Sequence, residues 1–276
     1  MGSEMCIRDR TKALEAYQEA GEDPKALECI PMLKRSDIKR EAAKIINEEL
    51  TVDDSLFLYH DVCTNGIGYV DLMFKTDSIA PEQIPYLGLL KSVLGYVDTE
   101  NYTYGELFNE INANTGGINC GVEVFDRADS TEEFQAMFSV RGKALYTKMD
   151  FLFKMIGEIL NSSKLEDTKR LYEIVASVKS RAQVNLTGAG HSTAVLRAAA
   201  YSSPMAAFQD EMAGIGYYQF IEKLEKDFEQ RKEETVEELC KLMKKILRPE
   251  NFMISYTGER ESLETVQKLA GTVKAG

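Results

Sequence analysis

Two stretches of strict alternation constrain the fold most. Ile118, Cys120, Val122 and Val124 alternate with Asn119, Gly121 and Glu123, and Phe134, Ala136, Phe138 and Val140 repeat the pattern after a polar link at 126–131. A period of two puts the apolar side chains of each stretch on one face of a pleated strand. The two are therefore read as half-buried strands paired antiparallel across the link. A sheet with one apolar face needs a cover, and the rest of the chain offers helices. Leu152, Met155, Ile156, Ile159 and Leu160 form one stripe at helical spacing, Leu171, Ile174, Val175 and Val178 a second, and Val236, Leu239, Met243 and Ile246 a third. Such stripes are read as core-facing helix surfaces rather than cofactor boxes.

The remaining elements follow from punctuation. Thr11–Ala20 has helical composition and stops at Gly21 and Pro24, and a second short helix through Ala26, Leu27 and Cys29 ends near Pro31. Residues 43–77 read as sheet: Leu56–His60 follows the turn-like Asp53-Asp54-Ser55, and in Ile67–Phe74 the side chains of Val70, Leu72 and Phe74 share a face. Asn65-Gly66 between these runs is a hairpin-turn signal. Ala80-Pro81-Glu82 opens a helix expected to reach Val97, with Ile84, Leu87, Leu90 and Leu94 on its apolar side. Tyr104–Asn114, carrying Leu107, Phe108 and Ile111, ends at Gly116-Gly117. After Pro249, Phe252–Tyr256 reads as a strand and Glu261–Leu269 as a last helix. The fold class is α+β: a mainly antiparallel sheet with helices packed on one face, preceded by a short helical hairpin segment. The expected boundaries are 11–42 for that segment and 43–276 for the domain.

Composition narrows the function. Among 276 residues, 33 basic side chains face 45 acidic ones, a formal charge of −12, which argues against a nucleic-acid binder relying on a cationic face. No segment approaches the roughly 18 consecutive apolar residues that span a bilayer, so neither nucleic acid nor membrane is an expected partner. Cys6, Cys29, Cys63, Cys120 and Cys240 form no CxxC pair and read as reduced, mostly buried thiols of a cytoplasmic-type compartment. His60 and His191 are the two histidines of the chain, far apart, with no His or Glu partner at metal spacing. There is no GxSxG elbow and no cysteine with a convincing histidine partner. Residues 1–10, MGSEMCIRDR, read as a translated sequencing adapter. They are set aside from fold reasoning, and the chain is expected to be a fragment.

The order of several short motifs resembles the pitrilysin or insulinase class of zinc metallopeptidases, and within it the presequence-protease subfamily. The residues that carry the resemblance are Ile30-Pro31-Met32-Leu33 with Ser36-Asp37-Ile38, Thr64-Asn65-Gly66-Ile67-Gly68-Tyr69, Thr115-Gly116-Gly117-Ile118, and Gly190-His191-Ser192 followed by Arg197. The resemblance covers nearly all of residues 11–276. It implies a clamshell of two halves joined by a helical hairpin, this chain being the hairpin's end plus the first, non-catalytic domain of the C-terminal half. The family's inverted zinc motif, HxxEH on a helix, works because residues four apart share a helix face and the glutamate between them faces the metal-bound water. The helix expected in the equivalent place holds Tyr86-Leu87-Gly88-Leu89-Leu90. Tyr86, Leu89 and Leu90 stand where ligand, base and ligand would be, a degenerate site that cannot hold zinc. The family's R-x-x-G-G-x-Y segment, from its last domain, is also absent.

The resemblance thus implies zinc in the full-length enzyme and none bound by this fragment, which alone is expected to be inactive. Its partners would be the missing catalytic N-terminal half, the missing last domain and unfolded peptide substrates. His191 and Arg197 are candidate peptide contacts in the Gly188-Ala189-Gly190 stretch, against a plainer reading in which the glycines turn between two helices and Arg197 pairs with a carboxylate. The charged run Glu222–Lys232 reads as a solvated helix face. The alternative function is a stand-alone, non-enzymatic peptide-binding or partner subunit that pairs with a separate catalytic chain.

Overall fold

The computed structural model describes residues 2–21, 24–41, 44 and 46–273. The chain forms two units, residues 1–45 and 46–276. The first contains helix α1 (Gly2–Glu19), the single-turn α2 (Pro24–Leu27) and a 3-10 turn at Arg35–Asp37. Helix α1 runs back from Thr11 through Gly2, into the residues set aside in the sequence. Ala42, Ala43 and Ile45, from which the first strand was expected to start, lie outside the described residues.

The second unit opens with strands β1 (Glu48–Val52), β2 (Ser55–Asp61) and β3 (Ile67–Lys75), then helices α3 (Ile84–Val93) and α4 (Tyr104–Asn114), then strands β4 (Ile118–Arg127) and β5 (Ser130–Leu145). Helices α5 (Met149–Ser162), α6 (Thr168–Gly188), α7 (Gly190–Ala199), α8 (Pro204–Ala213), α9 (Ile215–Lys226) and α10 (Phe228–Ile246) follow, and β6 (Phe252–Gly258) and α11 (Leu263–Ala270) close the unit. The six strands make one sheet in the order β1-β2-β6-β3-β5-β4. The fold class is α+β. The sheet is mixed rather than purely antiparallel, because β2 pairs parallel with β6 while the other neighbours run antiparallel.

That insertion corrects one reading. Asn65 and Gly66 adopt the left-handed conformation a tight turn requires, at φ 54° and 81°, but they close no hairpin. Strand β6 enters from the far end of the chain and separates β2 from β3. The genuine two-residue hairpin is Asp53-Asp54, with φ 47° and 67°, which joins β1 to β2 with Val52 opposite Ser55.

Alternation along the strands builds the core. Phe57 and Tyr59 of β2, Val70, Leu72 and Phe74 of β3, Phe138 and Val140 of β5, and Ile254 and Tyr256 of β6 are buried together with α3, α5, α6, α9 and α10. Helix α5 lies directly on the sheet because Gly142 leaves room for it: a Cβ there would sit 2.6 Å from Leu152 Cδ1. Two helix expectations change. Helix α3 ends at Val93 rather than Val97, since Leu94 is extended and Gly95 turns at φ 83°. On α4, Leu107 and Ile111 are buried but Phe108 is exposed.

The thiols also depart from expectation. Cys29 and Cys63 are exposed, in a helical turn and a strand connection, and Cys120 and Cys240 are half-buried. Burial nevertheless pushes the Cys120 thiol up to about 12, which keeps it protonated and unreactive.

Candidate functional site

Helix α3 is enclosed along most of its length. Leu87, Leu89, Leu90 and Val93 have no solvent exposure, and Tyr86 is 6% exposed. Gly88 sets the closeness of packing: a Cβ there would lie 2.6 Å from the carbonyl oxygen of Met212 and 2.8 Å from a ring carbon of Tyr217. The Tyr86 ring stands edge-on to Phe220, with centroids 4.8 Å apart, and its hydroxyl accepts a hydrogen bond from Arg231 Nη2 at 2.9 Å. Burial raises the Tyr86 phenol pKa in spite of the nearby Arg231 guanidinium. Tyr86, Leu89 and Leu90 thus offer one protonated phenol, held by a cation, and two aliphatic side chains inside the core. A divalent ion requires deprotonated N, O or S donors around an open position. These residues do not fit zinc, and among the described residues no group of three His, Cys, Asp or Glu is placed to hold a metal.

The opposite face of the sheet differs in character. A groove of about 450 Å³ runs over its open end, lined by Tyr69 and Asp71 of β3, Asn119 of β4, Arg141 and Lys143 of β5, and Thr257 of β6. The face closes toward Met73, Met137 and Ser139, which are buried. Register explains the groove's charges. Asp71 lies opposite Arg141, which lies opposite Asn119, so the long side chains of neighbouring strands meet. Arg141 Nε is 2.7 Å from Asp71 Oδ2, and Arg141 Nη1 is 3.1 Å from Glu123 Oε1. The second Asp71 oxygen, Oδ1, is buried without a hydrogen-bond partner. Desolvation raises the Asp71 pKa, and the bond and charge of Arg141 only partly offset it. Gly116 and Gly117 form the rim. Gly117 turns at φ 102°, and a Cβ at Gly116 would meet Lys143 Cγ at 2.6 Å.

A second carboxylate closes the neighbouring connection. Glu259, the residue after β6, accepts hydrogen bonds from the backbone N–H groups of Thr64 at 3.0 Å, Asn65 at 3.1 Å and Gly66 at 3.3 Å. The Tyr146 hydroxyl donates to Glu259 Oε2 and accepts from the Glu259 backbone N–H at 2.7 Å. The left-handed Asn65-Gly66 pair thus aims successive N–H groups at one anion, the geometry of a backbone nest. The Tyr146 hydroxyl, with the backbone donors behind it, lowers the Glu259 pKa to about 2.

The remaining sequence candidates do not converge. His191 is exposed in the first turn of α7. Arg197 Nη1 is 2.6 Å from Asp210 Oδ2, a carboxylate 1% exposed that also accepts from the backbone N–H groups of Ile215 and Gly216. The glycine stretch is the break between α6 and α7, and Arg197, in the last turn of α7, pairs with a buried acid of α8. His60 bonds the Ile46 carbonyl oxygen at 2.7 Å and Ser255 Oγ at 3.1 Å, a tie between the edge and centre of the sheet. Sequence reasoning missed Asp71, Arg141 and Glu259. The available signal was an aspartate and an arginine each set inside an apolar strand, where a charge implies a partner across the sheet.

Comparison with known proteins supplies the family. A family model described as the associated domain of peptidase family M16, subfamily C, matches residues 4–224. The chain belongs to this family. It is 35% identical over 262 residues to "Protein HypA" of Clostridium perfringens, covering 95% of the chain and 27% of that relative. It is 27% identical over 258 residues to "Presequence protease 1, chloroplastic/mitochondrial" of Arabidopsis thaliana, covering 94% of the chain and 24% of the relative. The chain therefore spans about a quarter of the length of these relatives. Two solved structures share the fold: a conserved protein from Enterococcus faecalis (TM-score 0.59, 13% identity, 82% of this chain and 52% of that one) and a peptidase M16 inactive domain from Pseudomonas fluorescens (TM-score 0.54, 14% identity, 83% and 50%). This chain is thus a peptidase-associated domain, and its α3 lacks the donors a metal site would need.

Proposed function

We propose that the chain is a non-catalytic, chamber-forming part of a zinc metalloendopeptidase that degrades unfolded peptides in the manner of a presequence protease. The catalytic half and the zinc lie elsewhere in the complete enzyme, and residues 11–42 are the end of the helical linker that leads into residues 43–276. The observation that carries this reading is α3: Tyr86, Leu89 and Leu90, which we read as counterparts of metal-binding positions, are all packed as core. A domain that has exchanged ligands for packing can contribute enclosure and peptide-contact surface but no bond cleavage. In this reading the open sheet face, with Tyr69, Asp71, Arg141 and Lys143 around its groove, faces the peptide. The net charge of −12 favours basic peptides.

The test is metal content and cleavage. The purified chain should contain no stoichiometric zinc and should leave an unfolded, basic fluorogenic peptide intact. The same chain joined to a catalytic half that carries HxxEH should support chelator-sensitive cleavage. Stoichiometric zinc in the isolated chain, or chelator-sensitive cleavage by it, would refute the proposal. Whether the gene encodes HxxEH upstream in the same frame separates this reading from a stand-alone partner subunit.

A further inference from the structure

A second cavity lies on the helical side of the domain, away from the sheet groove. It measures about 250 Å³ and sits among α3, α6, α7 and the α8–α9 junction. Its polar lining is Ser92, Arg181, Asn185, Thr193 and Tyr217, and its apolar lining is Val178, Ala182, Leu186 and Ala213. In a chain where acids outnumber bases 45 to 33, this cavity is lined by a guanidinium and by no carboxylate.

Two further observations single it out. Among the described residues Arg181 forms no ion pair. The adjoining cavity of about 210 Å³ shares Ser92 and Arg181, but its one acid, Glu173, is held by Arg170 at 2.9 Å. Tyr217 is 5% exposed, and its hydroxyl is buried without a hydrogen-bond partner. Its ring is fixed against Gly88, one helical turn before Ser92, whose own hydroxyl donates to the Gly88 carbonyl oxygen at 3.4 Å. A buried hydroxyl left unpaired is destabilising, so a ligand oxygen that reached it would recover a bond the folded chain leaves unmade. Desolvation raises the Tyr217 pKa; Ser92 Oγ, near enough to lower it but outside hydrogen-bond geometry, and the Arg181 charge offset only part of the rise, which keeps the phenol a donor.

From this juxtaposition we propose that the cavity binds a carboxylate carried on a short aliphatic group, the chemistry of a peptide's C-terminal residue with an apolar side chain. Arg181 takes the carboxylate, with Asn185 and the Tyr217 hydroxyl as further donors, and Val178, Ala182 and Leu186 receive the aliphatic side chain. A planar guanidinium matches a carboxylate through two parallel hydrogen bonds. The volume falls below the usual range for drug-sized ligands and suits a single residue. The inference is independent of the proposed role of the sheet groove.

The test uses the whole chain and three probes in titration calorimetry or amide NMR: N-acetyl-leucine, N-acetyl-leucinamide and inorganic phosphate. N-acetyl-leucine should bind saturably with shifts around residues 181–193 and 213–217, and the amide should bind at least about tenfold more weakly. Arg181→Gln, at an exposed position, and the isosteric Tyr217→Phe should each weaken N-acetyl-leucine by several-fold or more while leaving the circular dichroism spectrum unchanged. Equal binding of acid and amide, tighter binding of phosphate, insensitivity to both substitutions, or no saturable binding up to the solubility limit would each overturn the assignment.

Discussion

The two faces of one sheet follow different rules. On the helix-covered face, Val70, Leu72, Phe138 and Val140 are fully or almost fully buried, and packing decides what is tolerated. On the open face, one residue along the same strands, Tyr69 is 42% exposed and Asp71 and Arg141 face each other across the groove. A period of two sends neighbours in sequence to opposite environments, so stability is concentrated on one face and recognition chemistry can gather on the other.

The carboxylates sharpen the contrast. Glu259 accepts from four donors and is held ionised, whereas Asp71 has a buried oxygen with none and is pushed toward its neutral form. The balance between desolvation and hydrogen-bond donation sets which way each carboxylate shifts: desolvation wins at Asp71 and donors win at Glu259.

The largest effect that tests this contrast comes from the covered face. Phe138→Ala should destabilise the domain by about 3–5 kcal/mol, read from urea unfolding, because it opens a cavity beneath α5 and the neighbouring strands. A loss below about 1 kcal/mol would mean that the covered face is not the stability-bearing one.

Next is Glu259→Gln. Because the folded pKa of Glu259, about 2, lies below the ordinary glutamate value of 4.5, the unfolded state binds more protons between those values. The stabilisation is therefore present above about 4.5 and lost as pH falls toward about 2. The variant should melt lower at pH 7 and show a flatter acid limb, and parallel melting curves of variant and parent across that window would contradict the nest.

Asp71→Asn tests the opposite sign. With its folded pKa raised above 3.8, Asp71 binds protons more readily in the folded state, and its contribution declines as pH rises through that folded value. The variant should therefore gain relative to the parent as pH rises from about 4 to 7, offset in part by the lost pair with Arg141. A relative loss over that range would show that the ion pair outweighs desolvation. Smallest should be Tyr69→Ala, within about 0.5 kcal/mol in stability, while peptide binding to the groove weakens if that face contacts substrate.

Much of this was legible in advance. The span of α4, the existence and antiparallel pairing of β4 and β5, though not their full lengths, the apolar stripes of α5 and α6, and the unsuitability of Tyr86, Leu89 and Leu90 as ligands all follow from periodicity and side-chain chemistry. What stayed hidden depends on contacts between residues distant in sequence. A carboxylate partner for Arg197 was foreseen, but only the fold shows that it is Asp210, and Asn65-Gly66 looked like a hairpin until β6 was inserted next to β2. Glu259 carried no local signal, since its donors lie at 64–66 and 146.

The amino-acid sequence determined most of the strands and the main apolar helix stripes, and that α3 presents no metal ligands, because period and side-chain type act over a few neighbouring residues. Tertiary structure alone decided the parallel pairing of β2 with β6, the nest around Glu259, the orphan oxygen of Asp71 and the donor-lined cavity at Tyr217. Each of these depends on which remote groups the folded chain brings within hydrogen-bond distance, and on which buried ones it leaves without a partner.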